Sequence, residues 1–138
     1  MTQVKHLPIY ASAYIFVREI YRIKIKLPRA IKYDLGQECF GSALKILKCI
    51  VLANRSQDKG RHISRLLLET EVHWTFLRLL FDLRGLTSGE FKVLSERLSE
   101  IEKQAQAWLR WQQTVHPKGT SSQRATKNAW QTPDKRIT

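Results

Sequence analysis

Apolar residues along this chain recur three and four positions apart, the spacing that lines one face of an α-helix. The clearest run lies between Ser88 and about Gln113. Phe91, Leu94, Leu98, Ile101, Ala105 and Trp108 form a heptad seam, while Glu96, Arg97, Glu100, Glu102 and Lys103 occupy the opposite face. Upstream, Leu35, Cys39, Ser42 with Ala43, Ile46, Ile50 and Ala53 predict a helix from about Ala30 to Arg55. Ile63, Leu67, Thr70, Trp74, Leu77 and Phe81 predict another from about Arg61 to Arg84. A further segment, Pro8 to Lys26, opens with a proline suited to a first helical turn. Pro28, the polar run Asn54 to Gly60, and Gly85 separate the segments, with Gly85 as a C-terminal cap and Thr87 or Ser88 as the next N-cap. Four helices of about 20–25 residues with short connections predict an all-α, antiparallel up-down four-helix bundle roughly 30–37 Å long. One domain, residues 1–113, would contain it, with helices at about 8–26, 30–55, 61–84 and 88–113.

Two segments carry more apolar surface than one core stripe uses. Phe76 to Phe81 is hydrophobic nearly all round apart from Arg78. The first segment holds Tyr10, Tyr14, Ile15, Phe16, Val17, Ile20, Tyr21, Ile23 and Ile25. A core-facing stripe takes about a hundred degrees of a helix. The surplus predicts a second buried face, most simply between subunits of a homo-oligomer. A broad core filled by large side chains is the plainer alternative. Beyond Gln113 the periodicity stops. Residues 114–138 are rich in Ser, Thr, Lys, Arg and Pro, which predicts a basic, flexible tail. Its Trp130 could stack on a base or dock on the bundle.

Length and charge sharpen this picture. The chain's 138 residues suffice for one domain with a real core. Its 24 Lys and Arg against 12 Asp and Glu give a formal charge of +12. Such an excess repels itself unless something anionic lies nearby, which points to nucleic acid or an acidic partner. A bare basic surface is the alternative. The charge is clustered. Residues 18–65 hold twelve cations and four acids, and residues 114–138 hold five cations and one acid. Residues 66–113 are near neutral.

Candidate chemistry is sparse. Cys39 and Cys49 lie in one helical segment, about 15 Å apart by helix rise, too far for a disulfide. They are expected to be small buried apolar residues in a reducing compartment. The opening MTQVKHLPIY lacks a signal-sequence core, and no apolar run approaches the roughly 18 residues of a membrane span. A cytoplasmic protein without membrane contact is expected. No GxxxxGK[ST] phosphate loop is present. His6, His62, His73 and His116 are scattered; His62 and His73 would sit about 16 Å apart, too far to hold one metal. Glu69 and His73, one turn apart, predict a surface or interface hydrogen bond rather than part of a di-iron site, which needs carboxylates on every helix. Neither cysteine has a histidine near it in sequence, so both thiols are expected to be inert. A non-enzyme without cofactor or metal follows.

What remains is cationic spacing. Arg18, Arg22 and Lys26 recur every four residues and form a ridge. Glu19, the sequence neighbour of Arg18, does not face it, so the ridge is expected to keep its charge. Lys26, Arg29 and Lys32 surround the proline corner KLPRAIKYDLG, where Tyr33 and Leu35 are expected to pack inward. Lys45 and Lys48 share one helix face, and Arg61 and Arg65 share another. Several cations at compatible spacing hold phosphates, and the arginine fork grips two oxygens at once. Each residue is a candidate contact; a solvated face or an internal salt bridge is its plain alternative. Arg78 and Asp82 predict a structural salt bridge, with a contact to a partner as the second reading.

The corner from Pro28 to Gly36 resembles the Pro-basic-x-x-basic-Tyr-x-Leu corner of small four-helix-bundle proteins. These include the 23S rRNA intervening-sequence proteins and the accessory variability determinant (Avd) proteins of diversity-generating retroelements. Ala53-Asn54-Arg55, Lys59, Leu77-Arg78-Leu79-Leu80, Asp82-Leu83, Glu100-Ile101 and Trp108-Leu109-Arg110 are similar to the Avd branch. The likeness runs from about Ile9 to Trp111. It implies a barrel-like homopentamer that binds a reverse transcriptase and its template RNA, supports mutagenic copying into cDNA, and has no catalytic site. The cations named above are then the candidate contacts to nucleic acid or the polymerase. Two positions depart from the pattern. Trp74 stands where a second basic residue is expected before Arg78, and Phe81 where a lysine often precedes the aspartate. Both bear on any partner contact made there. The alternatives are an rRNA-associated bundle of the intervening-sequence type, and a purely structural oligomer that binds no nucleic acid.

Overall fold

The computed structural model of the protein describes residues 3–115, and every regular element among them is helical. A 3-10 turn, Val4–His6, leads into α1 (Pro8–Lys26). A one-turn helix, α2 (Arg29–Lys32), follows, then α3 (Leu35–Arg55), α4 (Lys59–Asp82) and α5 (Ser88–Val115). No helix among the described residues is long and apolar enough to cross a membrane. The expected tail from residue 116 onward, with Trp130, lies outside the described residues.

The four long helices close into a bundle in the cyclic order α1, α3, α4, α5. α3 packs on α4, α4 on α5, and α1 on both α3 and α5, while α1 and α4 face each other across the diagonal. Phe16, Ile20, Ile46, Ile50, Leu66, Leu77, Leu80, Leu98 and Ile101 fill the centre with almost no exposed surface. Burying such side chains stabilises the fold by about 1.5–3 kcal/mol each. Phe81 on α4 and Phe91 on α5 stack at 4.6 Å beside this core.

The second helix does not begin at Ala30. Pro28 lacks an N–H and starts a single turn, Arg29–Lys32. The chain then breaks at Tyr33 and Asp34, and the Asp34 carboxylate accepts from the Leu35 N–H to start α3. At the other boundary α5 runs two residues beyond Gln113, to Val115. α5 opens with a reciprocal capping box. The Thr87 N–H donates to Glu90 Oε1 at 2.9 Å, and the Glu90 N–H donates to Thr87 Oγ1 at 3.0 Å.

The buried face of α4 is rotated from the expected one. Ile63, Leu66, Thr70, His73, Leu77 and Leu80 point inward, whereas Leu67, Trp74 and Phe81 are half-buried on its flank. Both sets satisfy a heptad, and the observed one places a histidine in the core. Gly85 is not the left-handed residue at the end of α4. Arg84 takes that role with φ 62°, donating its N–H to the Phe81 carbonyl, while the Gly85 N–H reaches the Leu80 carbonyl.

Leu27 joins three elements at this end of the bundle. A Cβ on Gly36 would lie 2.8 Å from Leu27 Cδ1, and one on Gly85 would lie 3.0 Å from Leu27 Cδ2. The α2 corner, the first turn of α3 and the α4–α5 turn therefore close on one buried side chain, and glycine is needed for that approach.

Candidate nucleic-acid interface

The cations fall on two separate surfaces. The first is α1 with the α2 corner. Arg18, Arg22, Lys26 and Arg29 are exposed there, and Lys32 is half-exposed. The ridge does not keep all its charge, because helix geometry supplies partners that sequence adjacency hides. Glu19 reaches Arg22 three residues on, at 3.1 Å, and Glu90 on α5 reaches Lys26 at 3.6 Å. Arg18, Arg29 and Lys32 make no ion pair among the described residues. Tyr33 does not pack inward; it is 68% exposed, because the chain break after α2 turns it away from the core. Lys32 Nζ lies 5.9 Å from its ring centroid.

The second surface is the α3–α4 groove, which carries Lys45, Lys48, Arg61 and Arg65, all exposed. Arg65 Nε donates to Glu69 Oε2 at 3.2 Å, and the Glu69 side chain is largely buried beneath it. The Cys49 thiol lies in the same groove. Burial raises its pKa, the Glu69 carboxylate adds to this, and Arg65 and Lys48 oppose it. Because α1 and α4 lie on the diagonal, this groove is not continuous with the α1 ridge. The sequence places the nine cations in one block; the fold divides them.

Arg78 and Asp82 form the expected bond, with Nε at 3.1 Å and 3.2 Å from the two carboxylate oxygens. Both are exposed, so the pair stabilises α4 by only about 0.3–0.5 kcal/mol. Trp74 lies half-buried against the core.

Two functional-looking residues escape sequence reasoning. Arg84, exposed in the α4–α5 turn, joins the corner end, since its neighbour Gly85 lies against Leu27 and Ile31. The signal was the pair Arg84-Gly85, in which the glycine masked the arginine. His73 is the other. The expected Glu69–His73 hydrogen bond is absent, because Glu69 turns to Arg65 and His73 turns inward. The fold brings His73 to the cysteine that seemed to lack a histidine: its Nε2 lies 3.6 Å from Cys39 Sγ and its Nδ1 lies 3.1 Å from Ser42 Oγ. The Phe16 ring meets the imidazole edge-on at 4.9 Å.

This trio has the outline of a nucleophile and base without their electrostatics. Burial pushes the Cys39 thiol up to about 12 and the His73 imidazole down to about 3. Both are neutral near pH 7, so the sulfur keeps its proton and is a poor nucleophile. Among the described residues, no group of three His, Cys, Asp or Glu side chains is arranged to hold a metal ion. A groove of about 340 Å³ between Leu7–Ile9 and Gln104–Trp111 is lined mainly by apolar side chains, including Trp108 and Trp111. No protein-family model matches the chain, and comparison with curated proteins gives no match.

Proposed function

We propose that the protein is a non-catalytic accessory bundle of a diversity-generating retroelement, holding template RNA or its cDNA beside a reverse transcriptase. The observation that carries this reading is that six of the nine candidate cations, Arg18, Arg29, Lys32, Lys45, Lys48 and Arg61, have no acidic partner among the described residues. Cations displayed on helix faces hold phosphates without reading bases. The resemblance centred on Pro28 to Gly36 supplies the polymerase as the second partner. In this reading the protomer is an antiparallel up-down bundle that assembles as a barrel-like homopentamer in the cytoplasm. Supporting it, α4 and its C-cap expose Leu68, Val72, Leu79 and Leu83 along one face, and α1 exposes Tyr14, Tyr21 and Ile25. Such apolar stripes are surfaces that assembly would cover.

Binding to RNA across a salt series tests the central point. Affinity should fall steeply as salt rises, with a log–log slope set by the number of phosphates neutralised. A flat salt response would sink the polyanion reading. Light scattering should give five times the protomer mass, and a monomer at micromolar concentration would remove the pentamer. Co-purification with the reverse transcriptase tests the second partner.

A further inference from the structure

The α2 corner displays an aromatic ring that the core does not use. Tyr33 is the most exposed large apolar side chain among the described residues. Cations share its end of the bundle. Lys32 lies beside the ring, Arg29 sits one turn earlier, and Arg84 stands in the adjoining α4–α5 turn. None of these three cations has an acidic partner among the described residues. The one carboxylate within the corner, Asp34, is engaged by the Leu35 N–H. Arg84 holds a left-handed backbone in which glycine would be less strained.

We propose that this corner docks an unpaired nucleic-acid strand. Tyr33 stacks on one base, and Arg29, Lys32 and Arg84 hold the phosphates around it. The inference rests on the polyanion-binding function proposed above and narrows it to single strands. A base inside a duplex is covered on both faces by its neighbours. Only an unpaired base offers a free face to an exposed ring, and such stacking tolerates any sequence. A protein partner would have to meet the unpaired cations of the corner and its adjoining turn, whereas a nucleic-acid strand carries its own compensating charge beside each base.

The test measures binding of the full chain to three probes: a short single-stranded RNA, the same sequence as a duplex, and inorganic polyphosphate. Tyr33→Ala should weaken single-strand binding by roughly 5- to 100-fold. Its duplex and polyphosphate binding should stay within about twofold of the parent, since the phosphate contacts are untouched. Tyr33→Phe should retain single-strand affinity, because the ring remains. A 2-aminopurine base in the strand should be quenched on binding to the parent and not to Tyr33→Ala. Arg84→Gly should melt at a higher temperature than the parent yet bind the strand more weakly, with a salt slope smaller by about one. If Tyr33→Ala binds the single strand as tightly as the parent while polyphosphate still binds, the stacking corner is wrong and the polyanion reading stands. If the parent binds none of the three probes, both fall together.

Discussion

His73 places a neutral imidazole at the centre of the bundle. The Cys39 thiol keeps its hydrogen because burial raises its pKa to about 12, and the neutral His73 ring meets it through Nε2. The other ring nitrogen, Nδ1, meets Ser42 Oγ, so one nitrogen of the neutral ring donates and the other accepts. Protonating this ring would make both nitrogens donors and bury a charge. Burial lowers the His73 pKa from 6.5 to about 3, so between these values the unfolded chain binds a proton that the folded one refuses. His73 therefore contributes its full stability above pH 6.5, and that contribution is lost as pH falls toward 3, with a slope approaching about 1.4 kcal/mol per pH unit. Urea midpoints measured across this range should drop, and His73→Gln should flatten that part of the curve. A parent midpoint unchanged between these limits would mean that the ring is not held neutral. A lone histidine on an amphipathic segment gives little hint of this role. Its partners are 31 and 34 positions away, and only packing brings them together. Tyr33 misleads in the opposite way, since its aromatic character suggests burial while the broken turn after α2 exposes it.

At the scale of elements, helix ends carry much of the local specification. Lys59 reaches back from the start of α4 to the end of α3, where Nζ donates to the Ala53 carbonyl at 3.1 Å and the Asn54 carbonyl at 2.8 Å. A cation at a helix C-terminus satisfies carbonyls that lack intrahelical donors and complements the dipole. Lys59→Met keeps most of the stem and removes both bonds. It should destabilise the fold by about 1.5–3 kcal/mol in chemical denaturation. A loss well under half a kcal/mol would assign the carbonyls to water instead. The α5 seam was legible because its apolar steps and charged face agree, and the structure buries Leu94, Leu98, Ile101 and Ala105. The α4 seam was not, because Leu66 and Leu67, and Leu80 and Phe81, are adjacent apolar pairs. Periodicity alone cannot choose which member of each pair faces the core. Its choice is made by α3, which offers Ser42 and Cys39 as partners for His73 but not for Trp74.

For the whole molecule, the consequential outcome is the division of charge. A sequence records positions along a line, so residues 18–65 look like one basic block; folding sends α1 and α4 to opposite corners and separates their cations by α3. Groups that share no partner contribute independently. Charge reversal at Arg18 and Arg29 should therefore add, in log affinity for RNA, to charge reversal at Lys45 and Lys48, within about 0.5 kcal/mol. A strong departure from additivity, measured by a double-mutant cycle, would mean that one strand spans both surfaces. The two surfaces are not mechanically alike. Leu27 touches Gly36 on one side and Gly85 on the other, so the corner bearing Tyr33 is keyed into both the root of α3 and the turn that carries Arg84. One side chain thus anchors the corner at two places. Truncating Leu27 would loosen both anchorages at once.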